Sequence, residues 1–527
     1  MKNIITTLLI ALFAIIFTAC SEPNNNKVKN ELVYASTKDI RDINPHLYSG
    51  EMAAQNMVFE PLVINTKEGI KPWLAKSWKI SNNAKTYTFE LKENIFFTDG
   101  TKLNANTIKA NFDAILNNRT RHAWLELVNT IESTKVINEY TFELNLKNAY
   151  YPTLTELSMT RPFRFISPSC FKNNETKKGV SCYVGTGPWI LKEYQKNNYA
   201  LFEKNSKHWN NIPKINSIKW RVIPSHQSIL LSLQKEEIDL IFGSNGDMIN
   251  LNAFTQIQQE KKLKTLISNP IASRTILLNT KREFTKDIEV RKALSHAINK
   301  EAIIKGILNN SETIANTLFS KTTPYCNIDL EKKEFNIEKS KSILNNAGWI
   351  LQENGLRYKN GQELILKLYY NANNAQEKII SEYIQSNLKS IGIKLNIIGE
   401  EKQAFFDRQK TGNFDLMYAL SWGIPYDPQS FISSWRIPSH GDFQAQSGLA
   451  KKSWLDETIK NILIEENKIK RELLYKNILT YIHEENIYIP LSYSRVKVVF
   501  NPKLKGVDFN LSQYEIPFEK FYFDNTK

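Results

Sequence analysis

Seven histidines, His46, His122, His208, His226, His296, His440 and His483, are the side chains with which this chain could most directly hold a metal. A locally encoded site needs two of them three or four residues apart, so that both reach one ion from one helix face, and no pair has that spacing. His483-Glu484-Glu485 is not a zinc-hydrolase motif, because no second histidine follows through Pro490. There is no GxxxxGKS/T phosphate loop and no GxSxG nucleophile elbow. Local metal, nucleotide and serine-hydrolase chemistry is therefore absent, and any site must converge from distant segments. These absences count against an enzyme, though only weakly because triads are often dispersed, and no resident cofactor is expected.

Convergence needs rigid elements to carry the residues. ELVYAS (31–36), TYTFELK (86–92), YTFELNL (140–146), WILKEY (189–194) and EIDLIF (237–242) read as strands. Asn104 to Leu116 places Ile108, Phe112 and Ile115 on one side of a helix. After Asn269-Pro270 the alternation resumes. TILLNT (275–280), ELILKLYY (363–370), KLNIIGE (394–400) and DLMYALSWG (415–423) read as strands, and 290–308 and 375–392 carry apolar residues at helical spacing. This is an α/β pattern. Two lobes joined near 270, with a return near 490, would enclose a cleft, and clefts between domains favour ligands. The plentiful tryptophans and tyrosines suit such walls.

The N-terminus, MKNIITTLLIALFAIIFTAC, has one Lys, an apolar run from Ile4 to Phe17, then Ala19 and Cys20. That is a signal peptide, too short to span a bilayer as a helix of about 20 apolar residues. Its end, Phe17-Thr18-Ala19-Cys20, resembles the lipobox of bacterial lipoproteins, with Phe in place of the usual Leu. Lipidation at Cys20 is expected, followed by a polar tether; the alternative is an ordinary cut near residue 19. In an oxidising compartment Cys170 and Cys182 can pair across a short loop, a closure that would stabilise by about 3 kcal/mol, which leaves Cys326 a lone buried thiol. The formal charge of +15 does not point to nucleic acid: lysines are scattered among acids, as in KKLK (261–264) and EKKEF (331–335).

The most specific strings are longer. YTFELKENIFFTDGTKLNANTIKANFDAIL (87–116), GTGPW (185–189), EEIDLIFG (236–243), VRKALSHAINKE (290–301) and NNAGW (345–349) resemble the peptide/nickel class of extracellular solute-binding proteins, over nearly the whole mature chain. Within it, NPHLYSGEMAAQNMVFEPLV (44–63), RHAWLEL (121–127), RPFRFISPS (161–169), WGIPYDPQSF (422–431) and RIPSHGDFQAQ (436–446) resemble the nickel-chelate branch. The resemblance implies the large bilobal periplasmic binding protein fold (type II, class C), with an extra subdomain inserted in lobe I. The expected organisation is a signal peptide at 1–19, a tether at 20–30, lobe I at 31–269, lobe II at 270–490 and a return segment at 491–527.

It also implies the substrate-binding component of an ABC importer, a monomer in the periplasm or tethered by lipid to the outer face of the cytoplasmic membrane. Its partners would be an inner-membrane permease and its ATPase. The cargo would be nickel(II), or another divalent metal, wrapped by a carboxylate-bearing chelator such as histidine or an opine-type metallophore; NLSQYEIPFEKF (510–521) resembles the opine-binding relatives at least as well. A di- or oligopeptide-binding protein of the same family is the alternative. Arg161, helped by Arg121, would grip a chelator carboxylate, because a planar guanidinium binds carboxylate bidentately. Tyr48, Met52, Trp124, Trp422 and Tyr426 would wall the cleft. His440 would reach the metal as a neutral imidazole.

Overall fold

The computed structural model describes residues 29–243 and 248–524. The signal segment, Cys20 and the tether up to residue 28 lie outside the described residues. Two large mixed sheets organise the rest. The first runs Lys264–Ile267, Lys497–Phe500, Leu240–Gly243, Glu31–Ser36, Ser217–Val222, Tyr199–Lys204, Trp189–Gln195. Its Glu31–Ser36 strand is parallel to both neighbours and the other pairs are antiparallel. The second runs Thr313–Ile314, Tyr488–Ser494, Ala272–Leu278, Leu416–Leu420, Ile365–Asn371, Lys394–Glu400. Each sheet backs its own lobe. Among the described residues no helix is long and apolar enough to cross a membrane.

An antiparallel four-stranded sheet, Ala75–Ile80, Thr86–Leu91, Thr141–Leu146, Ile131–Asn138, falls in the chain between two strands of the first sheet and forms a subdomain inserted in that lobe. The helix Ala105–Leu116 covers it. Asn104 caps this helix by accepting from the Asn106 and Thr107 amides, and the Thr107 hydroxyl closes the capping box. Ile108, Phe112 and Ile115 are buried, with Phe112 5.0 Å from the Phe142 ring. Burying each contributes about 1.5–3 kcal/mol. The stretch 290–308 is not one helix. Ile288–Ala297 ends at an extended Ile298, and the Asn299 side chain accepts from the Ala302 amide to start a new turn, so a local cap competes with helix continuation.

The motif GTGPW owes its glycines to close packing. A Cβ on Gly185 would meet the Val58 carbonyl oxygen at 2.0 Å, and one on Gly187 the Met57 oxygen at 2.6 Å. The motif therefore presses on the helix Met52–Val58. Beside it the buried Glu60 carboxylate accepts from Trp73 Nε1 at 2.8 Å, Trp209 Nε1 at 2.8 Å and the Thr186 hydroxyl at 2.7 Å.

The chain passes between the large sheets twice, between Ile267 and Ala272 and between Ser494 and Lys497. The two crossings are tied to each other: the Ser268 amide donates to the Val496 carbonyl and the Ile271 amide to the Ser494 carbonyl, both at 2.9 Å. A sealed charge cluster sits there. Arg274 Nη2 lies 3.0 Å from Glu312 Oε1, and Lys497, on the returning strand, lies 3.9 Å from the same oxygen. Burial alone would raise the Glu312 pKa, but the Arg274 and Lys497 charges overcome it and hold it low. Replacing Arg274 by Met should lower the unfolding free energy by about 3–5 kcal/mol, because it strips the main partner from a buried carboxylate. Chemical denaturation measures this, and a loss within error would show that the cluster is dispensable.

Candidate functional site

From the first lobe come Tyr48, in the loop before the helix Met52–Val58; Arg121 and His122, in the one-turn helix Arg119–His122; Trp124 just after it; and Arg161, beyond the helix Thr153–Leu157. From the second come Trp422 and Tyr426, in the loop after the strand Leu416–Leu420, and His440, which starts the helix Gly441–Gln446. These residues form one run of contacts. The Arg121 and Arg161 guanidinium carbons lie 5.2 and 5.8 Å from the centre of the Tyr48 ring. Tyr48 is edge-on to Trp124 at 5.8 Å, and Trp124 to Trp422 at 5.6 Å, across the boundary between lobes. Trp422 lies 5.8 Å from His440 and 6.3 Å from Tyr426. The Tyr426 hydroxyl stands 3.8 Å from Met52 Sδ, again across the boundary.

The Trp422 loop is held by its own acid. Asp427 accepts from the Trp422 amide at 3.1 Å and the Gly423 amide at 2.8 Å, while burial pushes its pKa up to about 6. Gly423 has φ +76°, which favours glycine, and a Cβ there would press on Ile271 and Gln513. Arg161 donates from Nε to Gln55 Oε1 at 2.7 Å and from Nη2 to the Gly50 carbonyl. Burial lowers its pKa from the ordinary guanidinium value. Neither Arg161 nor Arg121 forms an ion pair among the described residues; Glu51, the carboxylate whose charge reaches Arg161, is paired with Arg41 at 3.2 Å. The His440 ring has no hydrogen bond among the described residues, and burial lowers its pKa, which favours the neutral imidazole. Among the described residues no group of three or more His, Cys, Asp or Glu is placed to hold a metal ion.

Sequence reasoning left several neighbours without a role. Gln55 lies inside NPHLYSGEMAAQNMVFEPLV, but only its contact with Arg161 reveals its task. Gln513 donates to the Trp422 carbonyl at 3.1 Å, and the Tyr514 ring lies 5.9 Å from Tyr426; both belong to the C-terminal NLSQYEIPFEKF string, whose signal is sequence likeness alone. His122 sits behind the wall, with Nδ1 2.6 Å from the Tyr48 hydroxyl. His46 is tied up by Thr176 and the Arg164 carbonyl. Cys170 and Cys182 form a disulfide, and Cys326 is free and buried.

Residues 69–443 match the model of the middle region of the bacterial extracellular solute-binding proteins, family 5. The chain belongs to this family. It is 40% identical over 494 residues to the nickel-binding periplasmic protein of Escherichia coli K12, a match covering 93% of this chain and 94% of that one. It is 24% identical over 525 residues to the dipeptide-binding protein of the same organism, covering 94% of each. Among solved structures it resembles NikA from Brucella suis in complex with Fe(III)-EDTA, with a TM-score of 0.92 and 40% identity, covering 94% of this chain and all of that one. The bilobal α/β architecture expected from the sequence is thus the architecture of its family 5 relatives.

One consequence of the wall is a pH dependence. Burial lowers the His122 pKa to about 4, from an ordinary 6.5. The unfolded chain takes up a proton below 6.5 that the folded imidazole refuses, so this group's contribution is complete above 6.5 and is lost as pH falls toward 4. His122→Gln should therefore lose less stability than the native protein between pH 7 and 5, by about 2 kcal/mol. Denaturant titrations at both pH values measure the difference; parallel losses would show that the ring titrates normally.

Proposed function

We propose that this family 5 protein is the extracytoplasmic substrate-binding component of an ABC importer, which captures nickel(II), or another divalent metal, as a small-molecule chelate and delivers it to the permease and its ATPase. The observation that carries this reading is the partly buried Arg161 guanidinium, which has neutral hydrogen-bond acceptors and no ion pair among the described residues. A half-buried cation in a cleft, with its charge left unpaired, can receive a ligand anion, and a guanidinium suits a carboxylate. Arg121 adds a second cation over the same Tyr48 face. At the far end of the aromatic run, His440 offers one imidazole nitrogen without a hydrogen-bond partner among the described residues. One protein donor suits a metal whose other positions a chelator fills.

The relatives support the same cargo. One at 40% identity is a nickel-binding periplasmic protein, and another at 40% identity holds Fe(III)-EDTA, a polycarboxylate chelate. In this reading Arg161 and Arg121 hold the organic part, which is histidine or an opine-type metallophore, and His440 holds the metal. Tyr48, Met52, Trp124, Trp422 and Tyr426 cover it. The protein acts by binding and release, without turnover. It works outside the cytoplasm as a monomer, after removal of the signal segment, and Cys20 carries the lipid that tethers it. The lobes backed by the two large sheets are the units that close over the chelate.

Titration calorimetry should show weak binding of bare nickel and tight binding when L-histidine is added. Arg161→Ala should abolish chelate binding while leaving the unfolding midpoint unchanged. Equal affinity for the bare ion, or native affinity in the variant, would sink the assignment; a co-purifying peptide in native mass spectrometry would favour the peptide alternative. Separately, Cys20→Ser should move the protein from the membrane fraction to the soluble extracytoplasmic fraction. Unchanged partition would remove the lipid tether from the proposal.

A further inference from the structure

The Cys170–Cys182 disulfide closes a loop whose middle residue of interest, Thr176, is buried. Thr176 is the start of a continuous hydrogen-bonded path to the candidate anchor. Its carbonyl accepts from Asn44 Nδ2 at 3.0 Å. The Asn44 carbonyl accepts from Gln55 Nε2 at 3.1 Å. Gln55 Oε1 then accepts from Arg161 Nε at 2.7 Å. Asn44 and Gln55 are fully buried, so water cannot replace any of these partners cheaply. A parallel route leaves the same residue: the Thr176 hydroxyl bonds His46 Nδ1 at 2.9 Å, and His46 Nε2 bonds the Arg164 carbonyl at 3.0 Å, three residues from the anchor.

The path fixes more than distance. A glutamine amide can rotate to exchange its oxygen and nitrogen. The Asn44 carbonyl demands the Gln55 NH2 group and so turns the Gln55 oxygen toward Arg161; rotated the other way, Gln55 would set N–H against N–H. Asn44 itself is held by its side chain on Thr176. We propose that the disulfide-closed loop is a positioning device for Arg161. It fixes Thr176, Thr176 fixes Asn44, Asn44 sets the Gln55 amide, and Gln55 aims the guanidinium that grips the chelator carboxylate. The inference rests on the reading of Arg161 as the carboxylate anchor, and it assigns binding importance to residues that touch no ligand.

The test is a set of affinity cycles with nickel(II)–L-histidine as the probe, read by calorimetry on the mature protein. The variants are Cys170→Ser/Cys182→Ser, Asn44→Ala with the disulfide intact, and Arg161→Lys, which keeps the charge but loses the fork. Circular dichroism and unfolding midpoints establish that each is folded at the assay temperature. The serine pair and Asn44→Ala should each weaken binding about tenfold, as removal of an outer partner does in ligand-orienting shells. Combined with Arg161→Lys, neither should weaken binding further, because the path has lost its target. Native affinity in the folded Asn44→Ala or serine-pair variant, or full additivity with Arg161→Lys, overturns the positioning role and leaves the anchor standing. Native affinity in Arg161→Lys overturns the anchor itself. If the serine pair does not fold, Asn44→Ala alone decides.

Discussion

Removing a guanidinium from water without giving it a carboxylate is costly, and in its cleft the protein does this with only two neutral acceptors for Arg161. Arg164 is buried against Glu515 at 3.1 Å, and Arg274 against Glu312 at 3.0 Å. Arg357 has no acid but spends its donors on the Ile391 and Trp349 carbonyls and the Asn345 amide oxygen. Arg161 has two neutral acceptors, Gln55 and the Gly50 carbonyl, which orient it without cancelling its charge. Two neighbouring features accommodate that charge. The Tyr48 ring offers a π face, and the glycines of GTGPW let the helix bearing Gln55 pack tightly.

The second constraint lies at the crossings. Two strands that must pass between lobes side by side carry backbone hydrogen bonds to each other, so they can bend together but cannot slide independently. The Arg274–Glu312–Lys497 cluster joins residues of both sheets at that point. Its desolvation cost is offset only while all three stay in place. The two lobes are thus held together at a pair of short, mutually bonded crossings, the arrangement that a hinge between lobes requires.

Much of this was legible in the sequence because the relevant signals are local. Alternation in TYTFELK and KLNIIGE, and the apolar spacing from Asn104 to Leu116, report directly on which face is buried. The break at Ile298 was not legible, since Asn299 can serve equally as an interior residue or as a cap, and tertiary context chooses. At the site, distinctive residue types in distinctive strings drew attention to Arg161, His440 and the two tryptophans. Gln55, Gln513 and Asn44 carry no such mark: an amide is informative only when its partner is known, and their partners lie 106, 91 and 132 residues away. Spacing and an oxidising compartment make the disulfide an available pairing, and the structure forms it, but its connection to Arg161 runs through those same amides.

The aromatic wall spans both lobes, and the contacts flanking the Trp422 loop hold its two halves together. Ser430, one turn beyond Tyr426, donates to Glu156 of the first lobe at 3.0 Å, and Gln513 of the returning segment donates to the Trp422 carbonyl at 3.1 Å. Arg436 reaches Glu126 at 3.0 Å, and the Tyr151 hydroxyl meets that of Tyr475. The same arrangement of the lobes that makes these bonds places Trp422 against Trp124. Each neutral bond contributes only about 0.5–1.5 kcal/mol net, so together they hold a geometry without locking it. A ligand that engages Arg161 in one lobe and His440 in the other has contacts in the closed form that the open form lacks. A difference of that kind, and not affinity as such, is what would favour a closed form over an open one.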